Sequence, residues 1–158
     1  MLPRGVVCDR CNNYFARKVE APFVESPAIK NLRFYQELEN KRGRVPSITG
    51  VITPNIPALV TRRPRENLTS VEVSAEALKA ISSRPNGRFI VPLTGPTPSD
   101  SVIARFLAKV ALESMAQRLV NFPDGLAYLC DEHQLDPLRN YARVGSANAW
   151  PVHVRTIY

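Results

Sequence analysis

Arg4-Gly5-Val6-Val7-Cys8-Asp9-Arg10-Cys11-Asn12-Asn13-Tyr14-Phe15-Ala16-Arg17-Lys18-Val19-Glu20 is the stretch on which the fold turns. Two thiols stand three positions apart, an asparagine follows at once, and Phe15 with Val19 starts a helical i, i+4 line. Asn12 or Asn13 is the expected cap of that helix, and Pro22 its expected end. A C-x-x-C pair serves zinc knuckles and redox sites alike, and it also occurs as two free thiols in a short turn. Metal is favoured here. The run Arg4-Gly5-Val6-Val7 precedes the pair, Asn12 follows it directly, and the βαβ pattern that a thioredoxin-like motif requires does not surround it.

Arg4-Gly5-Val6-Val7-Cys8-x-x-Cys11-Asn12 resembles the second half of an HNH (ββα-metal) endonuclease finger of the four-cysteine type. The resemblance implies that Cys8 and Cys11 are structural zinc ligands shared with an earlier C-x-x-C. It implies that Asn12, at the start of the helix, is a ligand of the catalytic ion. It also implies a hairpin between the cysteine pairs carrying an acidic residue followed by His, which bind that ion and activate water. The sequence opens seven positions before Cys8, so it reads as an N-terminally shortened member of that family.

The chemistry is consistent with such a site. Metal-assisted phosphodiester hydrolysis needs a water-derived nucleophile, a base and a cation that takes up charge on the leaving oxygen. An Asn carbonyl is a neutral, hard oxygen ligand suited to Mg²⁺ or Mn²⁺, whereas thiolates suit zinc. Two thiolates leave tetrahedral zinc half coordinated, so a second copy or a separate chain completing the finger is an expected partner.

The chain has 158 residues, enough for one domain or a small finger on a larger body, and 44% hydrophobic content excludes disorder. Fourteen prolines against seven glycines predict stiff connections between short elements. Lys plus Arg exceed Asp plus Glu by 21 to 14, and the net charge of +7 favours a polyanionic partner, nucleic acid and most simply DNA. Three cysteines do not make a secreted disulfide framework, and neither a signal region nor a run of membrane-spanning length is present, so a cytoplasmic protein is expected.

Further along, Ser26 and Pro27 start a helix with Ile29, Leu32, Tyr35 and Leu38 at helical spacing. Residues 46–64 contain four prolines and one expected strand, Ile48–Thr53. Val71–Val73 reads as a strand, Ser74 as the cap of a helix carrying Ala77, Leu78 and Ile81 on its apolar face, and Asn86-Gly87 as a turn into the strand Arg88–Val91. Thr94–Pro98 is a linker. Ser99–Leu119 is the longest helix; its many apolar positions predict a central core helix, with Arg105, Lys109, Glu113 and Arg118 on the wetter side. Leu126–Leu135 is a short helix or turn, Asp136-Pro137 opens a helix with Leu138, Tyr141 and Val144 inward, and Trp150–Tyr158 reads as a strand. The segments 135–145 and 150–158 are also similar, more vaguely, to C-terminal regions that accompany such fingers.

The expected fold is therefore α+β: a partial ββα-metal zinc finger over 1–25, an α+β middle region over 26–93, and a helical region over 99–158 ending in a strand. Candidate nucleic-acid contacts are Arg4, Arg10, Arg17 and Lys18 on the finger, Lys41, Arg42 and Arg44 in one basic turn, and Arg62, Arg63 and Arg65 in another. Cys130 and His133 are spaced to complete a Cys₃His zinc site with Cys8 and Cys11, or to act as a Cys–His pair; a buried Cys beside a surface His is the plainer reading. His153 alternates with two valines and points away from the core, and Glu20 lies two helical turns beyond Asn12.

Three functions fit these residues. The first is metal-dependent phosphodiester hydrolysis of the HNH type when complete, with little cleavage by this chain alone. The others are a non-catalytic DNA- or RNA-binding module, and a structural protein whose basic clusters meet an acidic partner.

Overall fold

A computed structural model describes residues 7–53, 55–83 and 88–145. In chain order the elements are α1 (Asp9–Phe15), a π-helical turn (Ala16–Glu20), α2 (Ala21–Val24), α3 (Pro27–Tyr35), β1 (Ile48–Ile52), β2 (Ile56–Arg63), a 3₁₀ turn (Pro64–Glu66) and β3 (Leu68–Glu72). There follow α4 (Ala75–Ser82), β4 (Phe89–Ile90), α5 (Asp100–Leu119), α6 (Gly125–Asp131), a 3₁₀ turn (His133–Leu135) and α7 (Asp136–Val144). The class is α+β, as expected. The chain forms two compact units, residues 25–97 and residues 1–24 with 98–158.

The unit of residues 25–97 is built on an antiparallel sheet in the order β3-β2-β1-β4. Ile48 pairs with Val60 and Ile52 with Ile56 in the β1–β2 hairpin. Alternation buries Ile48 and Gly50 of β1 and Ala58 and Val60 of β2, while Thr49 and Leu59 face outward. Phe34 of α3 and Val45 join Ile48 and Val60 in the core, with Tyr35 and Val91 against it.

Two expectations change in this unit. The proline-rich stretch holds a second, longer strand, β2. Pro57 is tolerated because β3 ends at Glu72, opposite Leu59, so at position 57 β2 is paired with β1 alone among the described residues. The inward face of α3 is Asn31 and Phe34, while Leu32 and Leu38 are half exposed. Asn31 turns inward because its side-chain amide donates to the carbonyls of Pro92 (3.4 Å) and Thr94 (3.1 Å), which gives this buried amide its hydrogen-bond partners.

In the other unit the first helix starts earlier than predicted: Cys8, not an asparagine, is its N-cap. Nor does Pro22 end it. The π-helical turn, closed by Ala21 N–H to the Ala16 carbonyl, widens the helix just before the proline ring, so the chain continues helically to Val24. Ala108, Tyr141 and Ala142 form the core of this unit, with Phe15, Ala104, Leu112 and Leu138 around it. Small residues on α5 let α7 approach closely. The large apolar residues Leu107 and Val110 are outside, and the supposedly wet Lys109 is inside, only 8% exposed. Val144 is exposed although Tyr141 is buried. Asn86-Gly87, His153 and the predicted strand Trp150–Tyr158 lie outside the described residues.

Candidate functional site

The basic clusters of the 25–97 unit meet because of the hairpin register. Since Ile48 opposes Val60, residues before β1 lie beside residues at the end of β2. The Ser47 and Thr61 hydroxyls are hydrogen-bonded at 2.9 Å across this line. The result is a cleft of about 590 Å³ with Arg42, Arg44, Arg62, Arg63 and Arg65 in its walls. Two sequence clusters that are separate on paper form one surface.

Each wall is shaped locally. Asn40 accepts the backbone N–H groups of Arg42 (2.8 Å) and Arg44 (3.2 Å) on its side-chain oxygen, which tightens the 40–44 turn. Gly43 completes that turn at φ +68°, a conformation that disfavours any side chain. On the other wall Asn67, at φ 49°, turns the chain from the 3₁₀ turn into β3.

Three of the arginines are engaged by carboxylates. Arg65 grips Glu39 through two bonds, Nε to Oε1 at 3.1 Å and Nη2 to Oε2 at 2.7 Å. Arg62 reaches Glu37 at 3.1 Å and lies 5.3 Å above the Phe34 ring. Arg63 meets Glu66 at 3.3 Å. Arg42 and Arg44 keep their side chains exposed beside them. Lys41 is exposed on the same turn but outside the cleft wall. Glu37 and Glu39 carry no motif that sequence reading would select; only the register exposes their role.

The thiol pair lies in the other unit. Cys8 sulfur accepts the Cys11 N–H at 3.3 Å, and both residues are exposed. Hydrogen bonds from Cys11, first from its backbone and then from its side chain, lower the Cys8 pKa. The same thiol contact with Cys8, helped by burial, raises that of Cys11. A sulfur that accepts a backbone N–H fits one arm of a zinc knuckle. Two thiols still supply only half a tetrahedral set. Among the described residues no group of three or more His, Cys, Asp or Glu is placed to hold a metal ion. Cys8, Cys11, Cys130 and His133 are thus not gathered into one site. His133 is almost wholly exposed, with its Nδ1 3.1 Å from Asp136, and Cys130 is exposed rather than buried.

Asn12 and Cys130 do share a cavity of about 140 Å³, with Phe15, Leu112, Lys109 and Arg139 also in its wall. Lys109 sits between Glu20 (2.8 Å) and Glu113 (2.6 Å), which gives Glu20 a structural partner. Burial opposes the ammonium charge, but the hydrogen bonds that Lys109 donates to Glu113 and Glu20 outweigh it and raise the Lys109 pKa. Arg10, Arg17 and Lys18 are exposed on this unit, and Arg4 lies outside the described residues. Among the described residues no helix is long and apolar enough to cross a membrane. Compared with protein-family models, curated proteins and solved structures, the chain matches none.

Proposed function

We propose that this chain acts on nucleic acid, and that the arginine cleft of the 25–97 unit holds the phosphate backbone. The observation that carries this reading is the convergence of five arginines on one concave surface. Guanidinium groups suit phosphate oxygens, which they bind bidentately, and contacts of this kind position a strand without selecting its sequence. Three free cysteines suit a reducing, cytoplasmic setting.

The test is fluorescence anisotropy with mixed-sequence DNA and RNA oligonucleotides over a salt series. Affinity is expected to fall steeply and linearly on a log–log plot, and Arg42→Ala with Arg44→Ala to flatten the slope by roughly 0.7–0.9 per lost phosphate contact. Binding that ignores salt, or that an acidic peptide matches at equal charge, would sink the reading in favour of an acidic protein partner.

A second reading rests on Cys8, Cys11 and Asn12, which stand at the start of α1 as in the later half of an HNH finger. In that reading zinc closes the finger, and Mg²⁺ or Mn²⁺ at Asn12 would supply a Lewis acid for phosphodiester hydrolysis. The two thiols and the amide offer no general base, so this chain alone is expected to bind rather than cut. Elemental analysis tests the finger directly. Near-stoichiometric zinc that disappears in Cys8→Ser would mean that a second copy or another chain completes the site; zinc absent from both would remove the finger from the account.

A further inference from the structure

We propose that Glu37 and Glu39 are internal competitors for the arginine cleft, occupying Arg62 and Arg65 until the phosphates of a nucleic-acid strand displace them. This rests on the nucleic-acid reading of the cleft and adds how its affinity is set. The first observation is geometric. Arg65 holds Glu39 through Nε and Nη2 together, the same two-pronged grip with which a guanidinium takes a phosphate. A carboxylate in that position and a phosphate cannot both be held.

The second observation is a local misfit. Glu37 follows the last turn of α3 at φ +54°, where Leu38 N–H reaches back to the Arg33 carbonyl at 2.8 Å. That left-handed position at a helix end belongs to glycine or asparagine. A carboxylate there also faces the negative end of the helix dipole. Glu37 is wrong for its place by both criteria, and what it gains is Arg62 at 3.1 Å. A residue that breaks two local rules in order to reach one arginine points to a task at that arginine.

The third observation is the contrast within the cleft. Arg42 and Arg44 stand exposed beside the paired arginines. Phosphates can first engage these two and then exchange with the carboxylates. Exchange is cheap because the Arg65 side chain is 77% exposed and Arg62 one-third exposed, so each pair is weak in water.

The experiment compares wild type with Glu39→Gln, Glu37→Gly and a charge control, Glu72→Gln, which removes the same charge at the far end of β3. The probe is a mixed-sequence single-stranded 20-mer in a salt series, with thermal unfolding recorded for each protein. Glu39→Gln is expected to bind about three- to fivefold more tightly at moderate salt, with a salt slope steeper by about 0.7 for the phosphate gained. Glu37→Gly is expected to do the same without loss of thermal stability, because glycine suits the left-handed position. Glu72→Gln should change affinity less and leave the slope alone. Equal gains in all three variants would reduce the effect to net charge and overturn the proposal. So would unchanged affinity in Glu39→Gln and Glu37→Gly while wild type binds. If no protein in the set binds, the nucleic-acid reading itself fails and takes this one with it; binding by the two variants but not by wild type would be its strongest support.

Discussion

Lys109 shows how one residue reverses a pattern. On a helical wheel it belongs with Arg105 and Glu113 on the wet side of α5, yet it is buried between Glu20 and Glu113. A lone ammonium would not survive there; two carboxylates make it tolerable. Lys109→Met keeps the volume and leaves the carboxylates facing each other. It is expected to cost about 1–3 kcal/mol in urea unfolding, the lower part of the range if water reaches the half-exposed glutamates. Linkage gives a further check. The folded pKa of Lys109 is raised, so its contribution is complete below the unfolded value of about 10.4 and fades as pH rises through the folded one. The acid side has the opposite sign. Hydrogen bonds from Arg139, then from His133, hold Asp136 below its usual range, so its contribution is present above about pH 3.9 and is lost as pH falls through the lower folded value. Asp136→Asn should therefore flatten the acid limb of a pH–stability curve; an unchanged limb would mean that other carboxylates govern it.

At the scale of elements, the legible features were those written in neighbouring residues. Ser74 does cap α4, its hydroxyl accepting Ala77 N–H at 3.2 Å, and Ser99 and Pro27 stand where helix starts were expected. What neighbours do not show is how distant groups repair a local fault. Pro22 reads as a stop because the π-helical turn that accommodates it has no composition signal. β2 was hidden by Pro57, whose cost depends on where β3 ends. The α7 C-terminus is closed from elsewhere too: Arg105 donates to the Ala142 carbonyl at 3.2 Å and Tyr14 to the Arg143 carbonyl at 2.7 Å. The tight link between α5 and α6 is a further case. Phe122 N–H bonds the Leu119 carbonyl at 2.9 Å, Asp124 adopts φ 59°, and a methyl group on Gly125 would run into that same carbonyl. Gly125→Ala is expected to destabilise the protein by about 1–3 kcal/mol, because backbone must move to admit it. An unfolding midpoint equal to that of wild type would show that the link is softer than its geometry implies.

At the scale of the whole molecule, the α+β class and the basic character could be read from composition and periodicity, but the cleft could not. Arg42 and Arg62 lie twenty positions apart, and only the pairing of Ile48 with Val60 makes them neighbours. The same register brings Arg62 and Arg65 to Glu37 and Glu39, which lie just beyond α3. This locates the proposed strand-binding surface inside one contiguous segment with its own core of Phe34, Val45, Ile48 and Val60. The thiol pair belongs to the other unit, so the two readings separate physically. Residues 25–97 expressed alone are expected to unfold cooperatively, although a unit of this size buries little surface and its stability should be modest. Phe34→Ala should then cost about 3–5 kcal/mol and abolish folding of the segment. If the folded segment binds the 20-mer with the salt slope of the full chain, the cleft carries the contacts unaided. A slope shallower by two or more units of phosphate contact would instead assign a share to Arg10, Arg17 and Lys18, and with them to the finger-like segment that Cys8 and Cys11 begin.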